Sequence, residues 1–328
     1  MSIKRLIPLV DQAIVSGGNF LLGVLLARVL GLAVYGEFAI VWLIVLFCSS
    51  IHHAWIITPL YTFSSKVTGV EKKKYLQSVM VHQLLFAVVA SLLVLVIIFI
   101  AKLFFPEWSI AQANIIVAMM AFCYLMYDFF RRFAYVKGRL YRALFLDAVV
   151  CLLQLMGLFI LNLKDDLTLI NCFVVVSISY STVFVIELKT LFSIRFERKK
   201  CLQTAIKHWR FSRWLIGTSL LQWVSGNFFI LAAGGILGPV IVGAIRILQN
   251  IMGVLHVLFL AIENQIPIRA SQILSTNGIR SMFDYLKGIA LKGCLLTLFV
   301  VLLIALFGKQ IISLLYEGKH MELSLIHI

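Results

Sequence analysis

The chain has 328 residues, of which 62% are hydrophobic and only 13% charged, with a formal net charge of +15 and a mean hydropathy of +1.03. A surface of that composition could not be kept in water, which excludes a soluble globular protein and predicts an all-α, polytopic membrane protein. The basic start MSIKRLIPLV opens like a signal sequence, but the apolar run behind it is too long and lacks a small-x-small cleavage site. It reads as a retained first helix.

From Leu9 to Leu30 the only charges are Asp11 and Arg28, and a bilayer core takes about 20 mainly apolar residues to cross, so this is the first span. Gly31 and Gly36 bracket a short turn, and a second span runs from Phe38 to Leu60, closed by Pro59. After a loop at Ser64 to Tyr75, a third span covers Val79 to Phe104. Pro106 then marks the turn into a fourth, Ile110 to Phe130. Leu144 to Leu163 and Leu167 to Leu191 are the fifth and sixth, Trp214 to Leu237 and Val240 to Ile266 the seventh and eighth, and Ile289 to Phe307 the ninth. The ending from Gly308 to Ile328, with its KQ, EGKH and ME, is too polar for a complete tenth.

Charge placement tests this reading independently. Of the 29 Lys and Arg residues, 21 fall in the start and in the loops after spans 2, 4, 6 and 8, while the opposite loops hold only Lys102, Lys164 and Lys309. That asymmetry predicts a cytoplasmic N-terminus and short outward loops. It also accounts for the basic stretch RFERKKCLQTAIKHWRFSR, residues 195–213, as a topology determinant touching anionic headgroups, with no nucleic-acid partner expected.

The chain also repeats itself. SGNFFILAAGGILGPVIVGAIRILQN, from Ser225, lies over SGGNFLLGVLLARVLGLAVYGEFAIVW with a single one-residue gap. Gly18, Asn19 and Phe20 fall on Gly226, Asn227 and Phe228, an offset of 208; Leu30, Gly31 and Gly36 fall on Leu237, Gly238 and Gly243, an offset of 207. Pro59 meets Pro267 at 208. Duplicated helical halves with a substrate site between them are a common transporter plan.

The run SGGNFLLGVLLARVLG, then YGEFA, then a second helix ending in TPL, resembles the polysaccharide-transporter branch of the multidrug/oligosaccharidyl-lipid/polysaccharide exporter superfamily, the O-antigen flippases. The likeness is close over residues 11–66 and diffuse elsewhere. It implies two six-helix bundles around a central cavity. The expected domains are then an N-terminal six-helix bundle, 1–207, and an incomplete C-terminal one, 208–328, holding spans 7–9 and a tail. A complete second half would run roughly 86 residues beyond the 328 present, so the chain reads as a fragment or a frameshifted product.

Polar residues inside spans carry the site expectations, because an unpaired charge at the bilayer centre costs at least ~2.5 kcal/mol and so faces protein or water. Arg246, Gln249, Asn250, Gly253, His256 and Asn264 fall on one arc of the eighth span; no acidic residue lies within one turn of Arg246. This stripe reads as a cavity lining, with interhelical hydrogen bonding as the alternative. On the first span Gln12, Ser16, Asn19 and Gly23 form a second stripe. On the seventh, Thr218, Ser219, Gln222 and Gly226 form a third. Arg28 sits near an outer end and reads equally as a cavity residue or a snorkelling one.

Asp128, Asp147, Glu187 and Glu263 lie near cytoplasmic ends, where pairing with the basic loops is expected. His52 and His53, about 100° apart on a helix, are poorly placed to share a metal and read as polar bundle contacts or as a proton-coupling pair. The six cysteines lack paired spacing and read as packing residues.

There is no HExxH, nucleophile elbow or P-loop, so neither an enzyme nor an ATP-driven pump is expected, and no cofactor or metal. The reading is a flippase of the bacterial inner membrane that moves a lipid-linked oligosaccharide by alternating access. Its resemblance-implied substrate is a polyprenyl-pyrophosphate-linked oligosaccharide, whose phosphates suit Arg246. Substrate contacts are expected from Arg246, Gln249, Asn250, His256, Asn19, Gln222 and Arg28, and polysaccharide polymerase machinery is a further expected partner. The alternatives are a cation-coupled multidrug exporter of the same superfamily and a membrane-embedded polymerase or glycosyltransferase, the latter disfavoured by the short outward loops.

Overall fold

The computed structural model describes residues 7–192, 197–263 and 266–316. The expectations that rest on Asn264 and on the ending EGKHMELSLIHI fall outside these residues, as do the side chains of His256 and Glu263. Among the described residues the chain is helical throughout, without a strand. The elements are α1 (Ile7–His52), a π turn (His53–Ile57), α2 (Thr58–Ser64), α3 (Gly69–Phe104), a 3-10 turn (Ser109–Gln112), α4 (Asn114–Val136), α5 (Leu140–Leu163), α6 (Leu169–Ile186), α7 (Leu188–Phe192), α8 (Arg198–Leu237), α9 (Pro239–Glu263) and α10 (Ile266–Tyr316).

Seven of the described helical stretches are long and apolar enough to cross a membrane, as a multi-pass membrane protein requires. The first of these, Val10–Ser64, contains both of the first two expected spans, joined end to end. The expected turn between Gly31 and Gly36 is corrected: the helix breaks at Gly31 alone (φ 78°, ψ 169°), and Gly36 is helical. A backbone at those angles is essentially restricted to glycine, so one residue makes the break. Gly278 (φ 81°, ψ 178°) breaks α10 in the same way.

The connections follow local chemistry. After α4, Gly138 (φ 70°) turns left-handed, and the amides of Gly138 and Arg139 donate back to the carbonyls of Tyr135 and Ala134, both at 2.9 Å. That is a Schellman close. After α5 the same pair of bonds forms around Asp165 (φ 53°), and the Thr168 hydroxyl then accepts from Asn171 N at 3.3 Å to cap α6.

The residues group into two compact units, Met1–Leu22 with Leu32–Gly243, and Gly23–Gly31 with Ala244–Ile328. The core of the first unit is aromatic and aliphatic. Phe38 stacks on Phe173 at 5.2 Å, and Phe129, Phe130, Met126 and Leu146 are fully buried. In the same unit, a Cβ on Gly36 would lie 1.8 Å from the Pro239 carbonyl oxygen, and one on Gly243 would lie 2.3 Å from that of Leu32. Only two glycines allow backbones to meet this closely.

Candidate functional site

The densest polar feature of the first unit is a buried ionic network centred on α4. Its sequence DFFRR places Arg131 three residues and Arg132 four residues after Asp128, so both arginines neighbour that carboxylate on the helix surface. Arg132 Nε donates to both oxygens of Asp128, each at 3.0 Å. Arg131 turns to other helices: its Nη2 donates to Asp11 of α1 at 3.0 Å, and its Nε lies 2.5 Å from Asp147 of α5. Tyr127 OH donates to the second oxygen of Asp147 at 2.7 Å, and Tyr135 OH donates to Asp11. Asp11 and Asp147 are each 1% exposed.

The end of α1 and the π turn after it complete the arrangement. His53 Nε2 lies 2.7 Å from Asp128, and the fully buried His52 points Nδ1 toward the same oxygen from 3.6 Å. The divergence expected for adjacent histidines is therefore corrected. A π turn starts at His53, and such a turn advances less per residue than an α turn. The ligand-capable atoms of His52, His53 and Asp128 lie within 4.8 Å of one another. Arg132 already donates to both Asp128 oxygens, so any further cation there would share that carboxylate with a guanidinium. Three carboxylates face two guanidinium groups, which leaves one carboxylate charge without an arginine to match it.

The expected pairing of acidic residues holds where the residues are described. Asp128 pairs with Arg132, Asp147 with Arg131, and Glu187 with Arg142 at 2.7 Å. Sequence reasoning singled out those carboxylates and both histidines, yet overlooked Arg131, Arg132, Tyr127 and Tyr135. The available signal was charge balance: two arginines one turn beyond an aspartate, with an unmatched aspartate in each of two other spans.

The expected cavity residues are distributed over both units. In the first, Gln12 Nε2 donates to Ser16 Oγ at 3.0 Å on the predicted stripe, while Asn19 of α1 and Gln222 of α8 are exposed. In the second, Arg246 Nη1 donates to Gln249 Oε1 at 3.0 Å, so these two share the face assigned to them; Asn250 and Arg28 are half-buried.

The YGEFA stretch has a clear structural job. Tyr35, Glu37, Phe38 and Ala39 are buried around Gly36, and the Glu37 carboxylate accepts from Ile110 N at 3.0 Å, capping the 3-10 turn. All six cysteines are free thiols, four of them buried. Compared with protein families, with characterised proteins and with solved structures, the chain finds no match in any of the three.

Proposed function

We propose that this protein is a flippase carrying a polyprenyl-pyrophosphate-linked oligosaccharide across the bacterial inner membrane, built from two homologous helical halves with nine spans in these 328 residues. The observation that carries the reading is the placement of left-handed glycines. Of five, Gly31 and Gly238 are 207 residues apart and share one backbone conformation (φ 78°, ψ 169° against φ 90°, ψ 170°). Gly69 opens α3 and Gly278 interrupts α10, 209 residues apart. The first pair matches the sequence offset, and Gly36 and Gly243, a further pair at 207, meet each other. The resemblance of residues 11–66 to O-antigen flippases supplies the substrate class.

The test uses cells lacking the protein. A lipid-linked oligosaccharide should accumulate on the inner leaflet, and the protein carrying Arg246→Ala should fail to clear it at normal protein level, with Arg246→Lys only partly restoring export because the two-pronged geometry is lost. Retention of a drug instead of a glycan would favour the cation-coupled exporter. That second reading draws on the ionic network, whose one surplus carboxylate suits a coupling proton. Orientation is tested separately: reporters after Lys74, Arg139 and Lys200 should be cytoplasmic, and those after Gly31, Trp108 and Asp165 external. One reversed pair overturns the orientation.

A further inference from the structure

At the end of the first unit where α3 begins, α4 ends and α7 lies, an open pocket of about 330 Å³ is lined by Lys72, Lys73 and Lys137 together with Gln77, Phe133 and Thr190. That volume is in the range of small-molecule sites. Three nearby basic residues are already matched with acids. Lys74 pairs with Glu197 at 3.1 Å, Lys200 with Glu71, and Arg142 with Glu187. The three pocket lysines form no ion pair among the described residues. The acid beside the pocket, Glu187, has one oxygen on Arg142 and the other accepting from Thr190 Oγ1 at 2.7 Å.

Lys137 reaches back over the Phe133 ring, 4.3 Å from its centroid. Burial pushes its ammonium below the ordinary lysine value and Arg139 adds to that, with Glu187 opposing. Three lysines lining one pocket, none of them ion-paired, are stabilised by an anion, and compact ammonium groups contact phosphate as point charges. The pocket also lies one to two turns before the apolar run of α3, which starts near Val79, and so at headgroup depth.

We propose that this pocket binds a phosphate group, supplied by the headgroup of an anionic membrane lipid, as a site separate from any transport path. It does not rest on the flippase reading, since its residues lie outside the ionic network and the predicted stripes.

The test is a titration of the purified, delipidated protein in neutral detergent with dihexanoyl phosphatidic acid, followed by thermophoresis. Wild-type protein should bind it; each of Lys72→Gln, Lys73→Gln and Lys137→Gln should weaken binding roughly fivefold, and the triple variant should abolish it. Lys102→Gln, at the other end of α3, should bind like wild type. Unchanged elution and unfolding temperature without lipid separate lost binding from lost fold. Binding by the triple variant equal to wild type overturns the site. Equal binding of dihexanoyl phosphatidylcholine overturns recognition of the anion. Inorganic phosphate binding as tightly as the lipid overturns the lipid source and leaves a free-phosphate site.

Discussion

The stretches that follow Gly31 in α1 and Gly238 at the start of α9 set out from the same backbone break and finish in different surroundings. Beyond Gly31, Phe38, Val41, Leu43 and Val45 are buried, and Phe38 stacks on Phe173. Beyond Gly238, Val242 and Ile247 are buried while Leu248 and Met252 are 41% and 43% exposed. The break and the close glycine contact are local properties written in a few residues. Burial is set by what packs alongside. The two stretches also carry different charges: the one after Gly31 meets the ionic network through His52 and His53, whereas α9 offers Arg246 an amide on its own helix.

That contrast breaks first at Arg131. Removing it strands Asp11 and Asp147, each 1% exposed, and uncompensated buried charge is expensive. Arg131→Ala should cost about 3–5 kcal/mol of unfolding free energy, measured by denaturant titration in mixed micelles. Arg246→Ala, half-exposed on α9, should cost about 1 kcal/mol or less. Similar losses for both would mean that the α9 side is as tightly built as the α4 side.

The glycine contact gives the next largest effect. Gly36→Ala and Gly243→Ala each force a Cβ against a backbone carbonyl, which cannot swing away as a side chain could. Each should cost about 3 kcal/mol, the upper part of the range for overpacking. Gly17→Ala on α1, where a Cβ meets nothing within 4 Å, should be nearly neutral in the same titration. A neutral Gly36→Ala would show that the two backbones stand further apart.

Much of the fold was legible because membrane helices are apolar runs of fixed length and their loops carry charge by side. The expected boundaries at Phe104, Leu163 and Leu237 coincide with helix ends in the structure. What could not be read was continuity across Gly31, since a one-residue break and a short turn both begin with glycine. The site was less legible. Helical phase correctly put Arg246 and Gln249 on one face and Gln12 with Ser16 on another. Phase works within one helix and says nothing about which helices meet, so Arg131 bridging α1 and α5 was invisible, as was the π turn that brings His52 and His53 to one carboxylate.

The finest test of the matched breaks is Gly31→Ala against Gly238→Ala. A Cβ at either position meets nothing within 4 Å, so any cost comes from the backbone and not from a clash. At φ 78°, ψ 169° and φ 90°, ψ 170° an alanine is strained by about 1–3 kcal/mol. Two equivalent breaks should lose the same amount, toward the lower end if the helix on either side can unwind a little to relieve the strain. The comparison needs both variants in one background and one denaturant series, with Gly17→Ala as the zero. If Gly31→Ala is costly and Gly238→Ala is neutral, the second break is a loose end of α8 and the match between the two breaks is coincidental.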